Sequence, residues 1–318
     1  MKNFSPIFIG GCDRSGTTLL GAMLGAHSRA ITTPESQFKT EIFSESASNN
    51  YSEKMFPLLN ALYKHWRFRV WDFVLTEDEL NSAAEMSNVR DLMLWLVKTY
   101  ALRHGQENTD IWVDHTPQNM RTVNTLLHCF PNARFIHIIR DGRAVTNSII
   151  PLMWGPNNVV QAASWWSYHL GFGLAAETFL DRTQIMRVKY EDLVLDPLST
   201  LNIICQFMGV EFERQMLSGG GFKIPEFSKD WHPHAEGEPL STRVDAWKEA
   251  LTSRQIEMFE AETADLLDML GYEKVCGINA RESTFWERKK GLFHGYIRRI
   301  QNTFRFFRWK RKHLHLSR

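Results

Sequence analysis

The sequence contains no long apolar run, no closely paired cysteines and, over its last 31 residues, no acidic side chain. Its longest hydrophobic stretches, such as Ile136–Ile139 interrupted by His137, fall far short of the 18 or so residues that a membrane span needs. The four cysteines, Cys12, Cys129, Cys205 and Cys276, are scattered without a CxxC pair. That pattern suits a reduced compartment and offers neither a metal nor a redox motif. A leader pattern is missing too, because the chain reaches a short apolar run at Ile7–Ile9 and a glycine turn almost at once. The expectation from these absences is a soluble cytoplasmic protein.

What is present is ordinary in bulk and uneven in detail. Of 318 residues, 43% are hydrophobic and 23% charged, so the chain can build a core, as one large α/β domain or about two smaller ones. The net charge of +1 hides an asymmetry. Eleven Lys or Arg fall between Arg288 and Arg318, so the other 287 residues hold 26 basic and 36 acidic side chains, a net of −10. A basic tail on an acidic body needs its own explanation.

Short β-branched runs alternate with helix patterns. Ile7–Ile9 leads through a glycine turn into a helical stretch at Thr17–Ala26. Ile111–Val113 and Arg134–Ile139 each lead through a polar turn into a helix pattern, and Ile185–Val188 precedes a helix at Leu198–Met208. Units of this kind predict an α/β fold with a parallel sheet flanked by helices. A long aromatic, mainly helical insert is expected over about Ser36–Asn108. Residues 216–240, with Gly219–Gly221, three prolines and the cluster Trp231-His232-Pro233-His234, read as a mobile loop over a site. Residues 1–280 are taken as one catalytic domain and 281–318 as a basic aromatic extension.

The first turn carries the chemistry. In Gly11-Cys12-Asp13-Arg14-Ser15-Gly16-Thr17-Thr18 the glycines keep the GxxxxG spacing of a phosphate-binding loop. Such a loop lets backbone amides and a helix N-terminus converge on an anion. Nucleoside triphosphatases follow the second glycine with Lys and then Ser or Thr. Here Thr17 stands in the Lys position, so the point charge that reaches β- and γ-phosphates is missing. A nucleotide kinase or NTPase is thereby disfavoured.

Arg14-Ser15-Gly16-Thr17-Thr18-Leu19-Leu20 resembles the 5′-phosphosulfate loop of sulfotransferases that use 3′-phosphoadenosine-5′-phosphosulfate (PAPS), most closely bacterial ones related to tyrosylprotein sulfotransferases. The likeness continues through Ala22–His27 and Pro34-Glu35-Ser36. A second match is Phe135–Arg143, with Ser148 eight residues after Arg140; a third is Val188–Leu193, and a fainter one is Ser241-Thr242-Arg243 followed by Trp247-Lys248. Three matches in order over about residues 6–197 make the resemblance specific. It implies a P-loop-like fold, PAPS as sulfuryl donor, adenosine 3′,5′-bisphosphate (PAP) as product and no metal.

Residue by residue, the resemblance implies that Arg14, Ser15, Gly16, Thr17 and Thr18 hold the 5′ end of the donor. It implies Arg140 and Ser148 at the 3′-phosphate, Tyr190 beside the adenine, and Ser241 and Arg243 returning to the phosphates. Glu35, 21 residues after Arg14, is at the offset of the catalytic glutamate and would accept the acceptor hydroxyl's proton. Arg14 would stabilise charge on the transferring group. His115 stands where many relatives carry Lys. It could act as a protonated imidazole, a neutral hydrogen-bond donor or the base in place of Glu35, or be a satisfied histidine at a strand end. Asp141 reads as a helix N-cap, and Arg143 as a solvated helix residue in preference to a phosphate contact. His232 and His234 form an HxH pair too sparse for a metal site. Trp165 and Trp166 read as core or as walls of an acceptor cleft.

The acceptor is expected to bear a hydroxyl, with a saccharide or glycolipid first and peptide tyrosine second, bound by parts of Ser36–Asn108, Pro151–Asn158 and 216–240. A non-catalytic nucleotide-binding module is the other alternative. In the tail, Phe293, Ile297, Ile300 and Phe304 fall at helical spacing among Lys and Arg. An amphipathic basic stretch of this type suits an anionic membrane surface, which would put the protein peripherally on the inner membrane face. Single-stranded nucleic acid is the competing reading and the less favoured one, and an idle solvated tail is the third.

Overall fold

The structure, a computed structural model, describes residues 4–39, 42–43, 58–59, 62–63, 65–69, 71, 74–86, 88–225, 229 and 240–313. Five parallel strands form one sheet: β1 (Ser5–Gly11), β2 (Ala30–Thr33), β3 (Ile111–Asp114), β4 (Arg134–Ile139) and β5 (Ile185–Lys189), in the order β2-β3-β1-β4-β5. The register aligns Ile7 with Val113 on one side and with Arg134 on the other. Four of the five strands stand where the β-branched runs predict them. The exception is β2, four residues with no alternating pattern, made a strand by pairing Ala30 with Ile111 and Thr33 with Asp114.

Side chains alternate across this sheet as a two-residue period requires. Phe8, Trp112 and Phe135 face one layer with Phe38, Trp71 and Leu96 of the insert. Ile7, Ile9, Val113, Ile136 and Ile138 face the other with Leu20 and Leu24 of helix α1 (Thr17–Gly25). Each such side chain, fully buried, contributes about 1.5–3 kcal/mol.

The described part of the insert is helical, with a single turn at Trp66–Arg69, then α2 (Glu77–Ala84) and α3 (Val89–Arg103). Thr76 and Glu79 close a capping box on α2, and Asn88 caps α3 by accepting from Asp91 N. Beyond β3 come α4 (Val123–Cys129), α5 (Gly142–Ile149), α6 (Val159–Phe179), α7 (Tyr190–Leu195), α8 (Pro197–Met208), α9 (Thr242–Ala250), α10 (Ser253–Leu270) and α11 (Phe285–His313). Asn158 and Asp196 cap α6 and α8 through their side chains.

The expected mobile loop at 216–240 needs correction over its first part. Phe222 and Ile224 are buried against Ala22 of α1. Gly221 lies so close that a Cβ there would meet Ala26 N at 1.8 Å, so this segment is fixed by backbone-to-backbone contact. Trp231, His232, Pro233 and His234 lie outside the described residues. No described helix is long and apolar enough to cross a membrane.

Candidate active site

Parallel strands bring all their carboxyl ends to one edge, and each end here delivers an expected site residue. β1 runs into the glycine loop, β2 into Pro34-Glu35, β3 into His115, β4 into Arg140 and β5 into Tyr190. The chain leaves β1 towards β2 and β3 on one side and continues from β4 to β5 on the other. The crevice beyond the ends of β1 and β4 is therefore the switch point where open α/β sheets bind ligands.

The loop is shaped for close approach. Gly16 has φ 100°, and a Cβ there would sit 2.6 Å from Tyr190 Cδ2, so the turn rests on that ring. Arg14 has φ 73°, the only positive value at a non-glycine residue among those described. A left-handed arginine costs about 1–2 kcal/mol. Helix α1 starts at Thr17 without a side-chain cap, which leaves its first amides and partial positive charge to an anion. The buried Ser15 hydroxyl has no hydrogen-bond partner.

Three guanidiniums gather beside the loop. Arg14 Nε donates to Ser148 Oγ at 3.0 Å. Arg140 donates through Nη1 to Arg14 O at 3.0 Å and through Nη2 to Arg243 O at 2.9 Å, while its buried Nε has no partner. Its guanidinium lies 4.0 Å from the Tyr190 ring centroid. Burial lowers the Arg14 pKa, and the charges of Arg140 and Arg243 lower it further, to about 10, against the pull of Asp13. Burial lowers Arg140 as well, with Arg243 adding to the effect. Like charges crowded in a half-dry site favour an anion between them. Ser241 is exposed at the start of α9 and makes no capping bond; Arg243 is half-buried.

On the other side of the loop stand the acid–base groups. Glu35 accepts from Arg67 Nη1 at 3.4 Å and from Gln37 Nε2 at 3.2 Å. The Asp13 carboxyl is raised to about 7, first by burial and then by the Glu35 charge. Its Oδ2 makes no hydrogen bond and lies 3.7 Å from His169 Nε2. His115 is buried with both ring nitrogens unpartnered, packed on Phe222 at 4.9 Å and against Gly21. Burial lowers its pKa despite the neighbouring carboxylates of Glu35 and Asp114. The unpartnered ring nitrogens set His115 apart from a histidine satisfied at a strand end, and burial acts against the charged form.

Arg143 also departs from expectation, being neither solvated nor aimed at the loop. It is buried, donates to both Asp141 oxygens, to Glu260 Oε1 at 2.5 Å and to Glu273 O, and stacks 4.1 Å from Trp247. Asp141 caps α5 as expected, accepting from Arg143 N at 2.8 Å. Trp166 is core, with its indole N–H donating to Arg140 O at 3.1 Å. Trp165 belongs instead to an aromatic cleft of about 720 Å³, which it lines with Trp154, Tyr168, His169, Arg121 and Gln161. Through His169 and Asp13 the cleft backs onto the loop. Asp13, Arg67 and His169 escaped the sequence reading because their partners are distant in the chain. Among the described residues no group of three His, Cys, Asp or Glu could hold a metal ion.

Comparison with known proteins supports the fold and gives the family. A family model described as the sulfotransferase family matches residues 6–214. Protein-tyrosine sulfotransferase A of Caenorhabditis elegans is 28% identical over 216 residues, 66% of this chain and 51% of that protein. The Drosophila melanogaster protein-tyrosine sulfotransferase is 26% identical over 222 residues, 66% of this chain and 39% of its own. The chain thus spans about half the length, or less, of these relatives. Among solved structures, the sulfotransferase domain of the Synechococcus PCC 7002 olefin synthase superposes with a TM-score of 0.61 at 22% identity, over 86% of this chain and 97% of that one. The sulfotransferase domain of the curacin biosynthetic pathway gives 0.58 at 18%, over 86% and 99%. These two share the fold. Since the family model covers well over half of its residues, the chain belongs to the sulfotransferase family.

Proposed function

We propose that the protein transfers a sulfuryl group from PAPS to a hydroxyl acceptor and releases PAP. The observation that carries this reading is the convergence of Arg14, Arg140 and Arg243 at the β1/β4 switch point, one strand end from the uncapped helix N-terminus. The donor has phosphate at both ends of its adenosine, and the site has cations for both. Loop amides with the hydroxyls of Ser15, Thr17 and Thr18 suit the 5′ end. Arg140, whose buried Nε still lacks an acceptor, suits the 3′-phosphate together with Ser148, Arg243 and Ser241. Tyr190, which touches Gly16 and Arg140, would lie beside the adenine.

When bound, the donor supplies an activated sulfuryl group; everything else falls to this chain. Glu35, oriented by Arg67 and Gln37, takes the proton of the acceptor hydroxyl. Arg14 offsets charge that develops as the group moves. His115, with both ring nitrogens unpartnered, offers a ring N–H as a hydrogen-bond donor in place of a lysine, and burial acts against its charged form. For the acceptor, the aromatic walls of Trp154, Trp165 and Tyr168 suit the C–H face of a sugar ring as well as a phenol. A saccharide or glycolipid hydroxyl is the first reading. The phenol of a peptide tyrosine is a second reading, favoured by relatives described as protein-tyrosine sulfotransferases.

Two measurements test the assignment. In calorimetry, PAP should bind at least about tenfold more tightly than ADP, a difference of about 1.4 kcal/mol that reports a 3′-phosphate pocket. Preference for ATP, or no binding of any of these nucleotides, would overturn the reading. Glu35→Gln should keep PAP affinity while slowing PAP release from PAPS, over a panel of acceptors, by about 10²–10⁴. Turnover near the wild-type rate would remove Glu35 as the base.

A further inference from the structure

Helix α11 presents its apolar side to solvent and its polar side to the rest of the chain. The inward stripe is Glu287, Gly291, Gly295, Arg298 and Asn302. Arg254 pairs with Glu287 at 2.8 Å, Asn158 Nδ2 donates to Gly291 O at 3.2 Å, and Arg298 donates to Ile150 O at 2.5 Å. Gly295 abuts Gln161, which would lie 3.4 Å from a Cβ placed there. The contacts named here are made by charged, polar and glycine residues. Phe285, Phe293, Tyr296, Ile300, Phe304 and Phe307 are instead 46–67% exposed. At about 100° per residue these six fall on the side opposite the inward stripe. A helix on a globular body normally does the reverse, and a continuous exposed apolar face of this kind marks a contact surface.

Charge identifies what covers it. Lys290 and Arg308 border the apolar face on one edge and Arg299 on the other, all exposed, and no acidic residue follows Glu287. A second copy of the chain would set one basic border against another. Anionic lipid offers both acyl chains for the aromatics and phosphates for the cations. The helix, 29 residues long, is too charged to span a bilayer, so it would lie along the surface.

We propose that α11 lies on an anionic membrane surface with Phe293, Tyr296, Ile300 and Phe304 in the lipid. The segment it rests on, Asn157 to Gln161, runs into the wall of the aromatic cleft. The cleft is therefore held near the headgroups and takes its hydroxyl acceptor from the lipid surface. That last step rests on the sulfuryl-transfer reading; the membrane contact does not.

Flotation of the full chain with vesicles tests the contact without donor or acceptor. Wild type should float with vesicles of equimolar phosphatidylcholine and phosphatidylglycerol, and partition at least about tenfold less into phosphatidylcholine alone. The Phe293→Glu/Phe304→Glu and Lys290→Glu/Arg299→Glu/Arg308→Glu variants should each lose at least about tenfold of that partition. PAP affinity should be unchanged in both, which shows that they fold. Equal partition of wild type and variants overturns the proposal. So does a lipid-free dimer that Phe293→Glu/Phe304→Glu abolishes in sedimentation, or retention on an oligonucleotide without binding to vesicles.

Discussion

Arg140 and Arg143 stand three residues apart in one turn, both buried, and differ in what surrounds them. Every nitrogen of the Arg143 guanidinium donates, to Asp141, Glu260 or Glu273 O, and Trp247 covers it. Arg140 donates to only two backbone carbonyls, keeps its buried Nε without a partner and faces two more guanidiniums. The first arrangement completes the fold around a charge. The second leaves a buried donor open, where the 3′-phosphate is proposed to bind. Completeness of bonding, rather than burial, separates a structural arginine from a binding one.

The same contrast divides two aspartates. Burial alone would raise Asp114, but the Lys39 ammonium and hydrogen bonds from Ser36, Asn119 and Thr116 outweigh it and hold its pKa at about 2. Asp13, one oxygen unbonded, is raised to about 7.

The largest expected effect breaks the complete member of the arginine pair. Arg143→Ala strands Asp141 and Glu260 and should cost about 3–5 kcal/mol of stability in urea unfolding. A loss below about 1 kcal/mol would show that the network is not structural. Next comes Asp13. Its folded pKa is above the ordinary 3.8, so the folded chain binds the proton more tightly. Stability is then full below about pH 4 and falls as pH rises to about 7, by up to about 1.4 kcal/mol per pH unit. Asp13→Asn should flatten that slope and raise the melting temperature at neutral pH but not at pH 4. Smallest is Arg140→Ala, which should lower PAP affinity by about 1.5–3 kcal/mol with stability little changed. Unchanged affinity would move the 3′-phosphate elsewhere.

The sequence makes legible whatever depends on local pattern. β1, β3, β4 and β5 show as β-branched runs closed by turns, and the glycine loop shows by spacing alone. Glu35 and Tyr190 came only with the family resemblance. β2 is too short to show a period and is a strand only because β3 lies beside it. Arg143 was misread because Glu260 is 117 residues away, and Arg67 was missed because nothing near it points to Glu35. The aromatic stripe of α11 is visible in the sequence. Which side of that helix packs inward depends on Asn158 and Gln161, more than 130 residues earlier.

The three guanidiniums have a further consequence for turnover. In the proposed reaction they face phosphate groups, and group transfer at the sulfur leaves every phosphate of the nucleotide in place. A site that grips the donor by those groups grips the spent nucleotide by the same contacts. On the proposed reading, departure of the product rather than the chemical step should set the pace, and inorganic sulfate or phosphate in the buffer should compete for the same cradle.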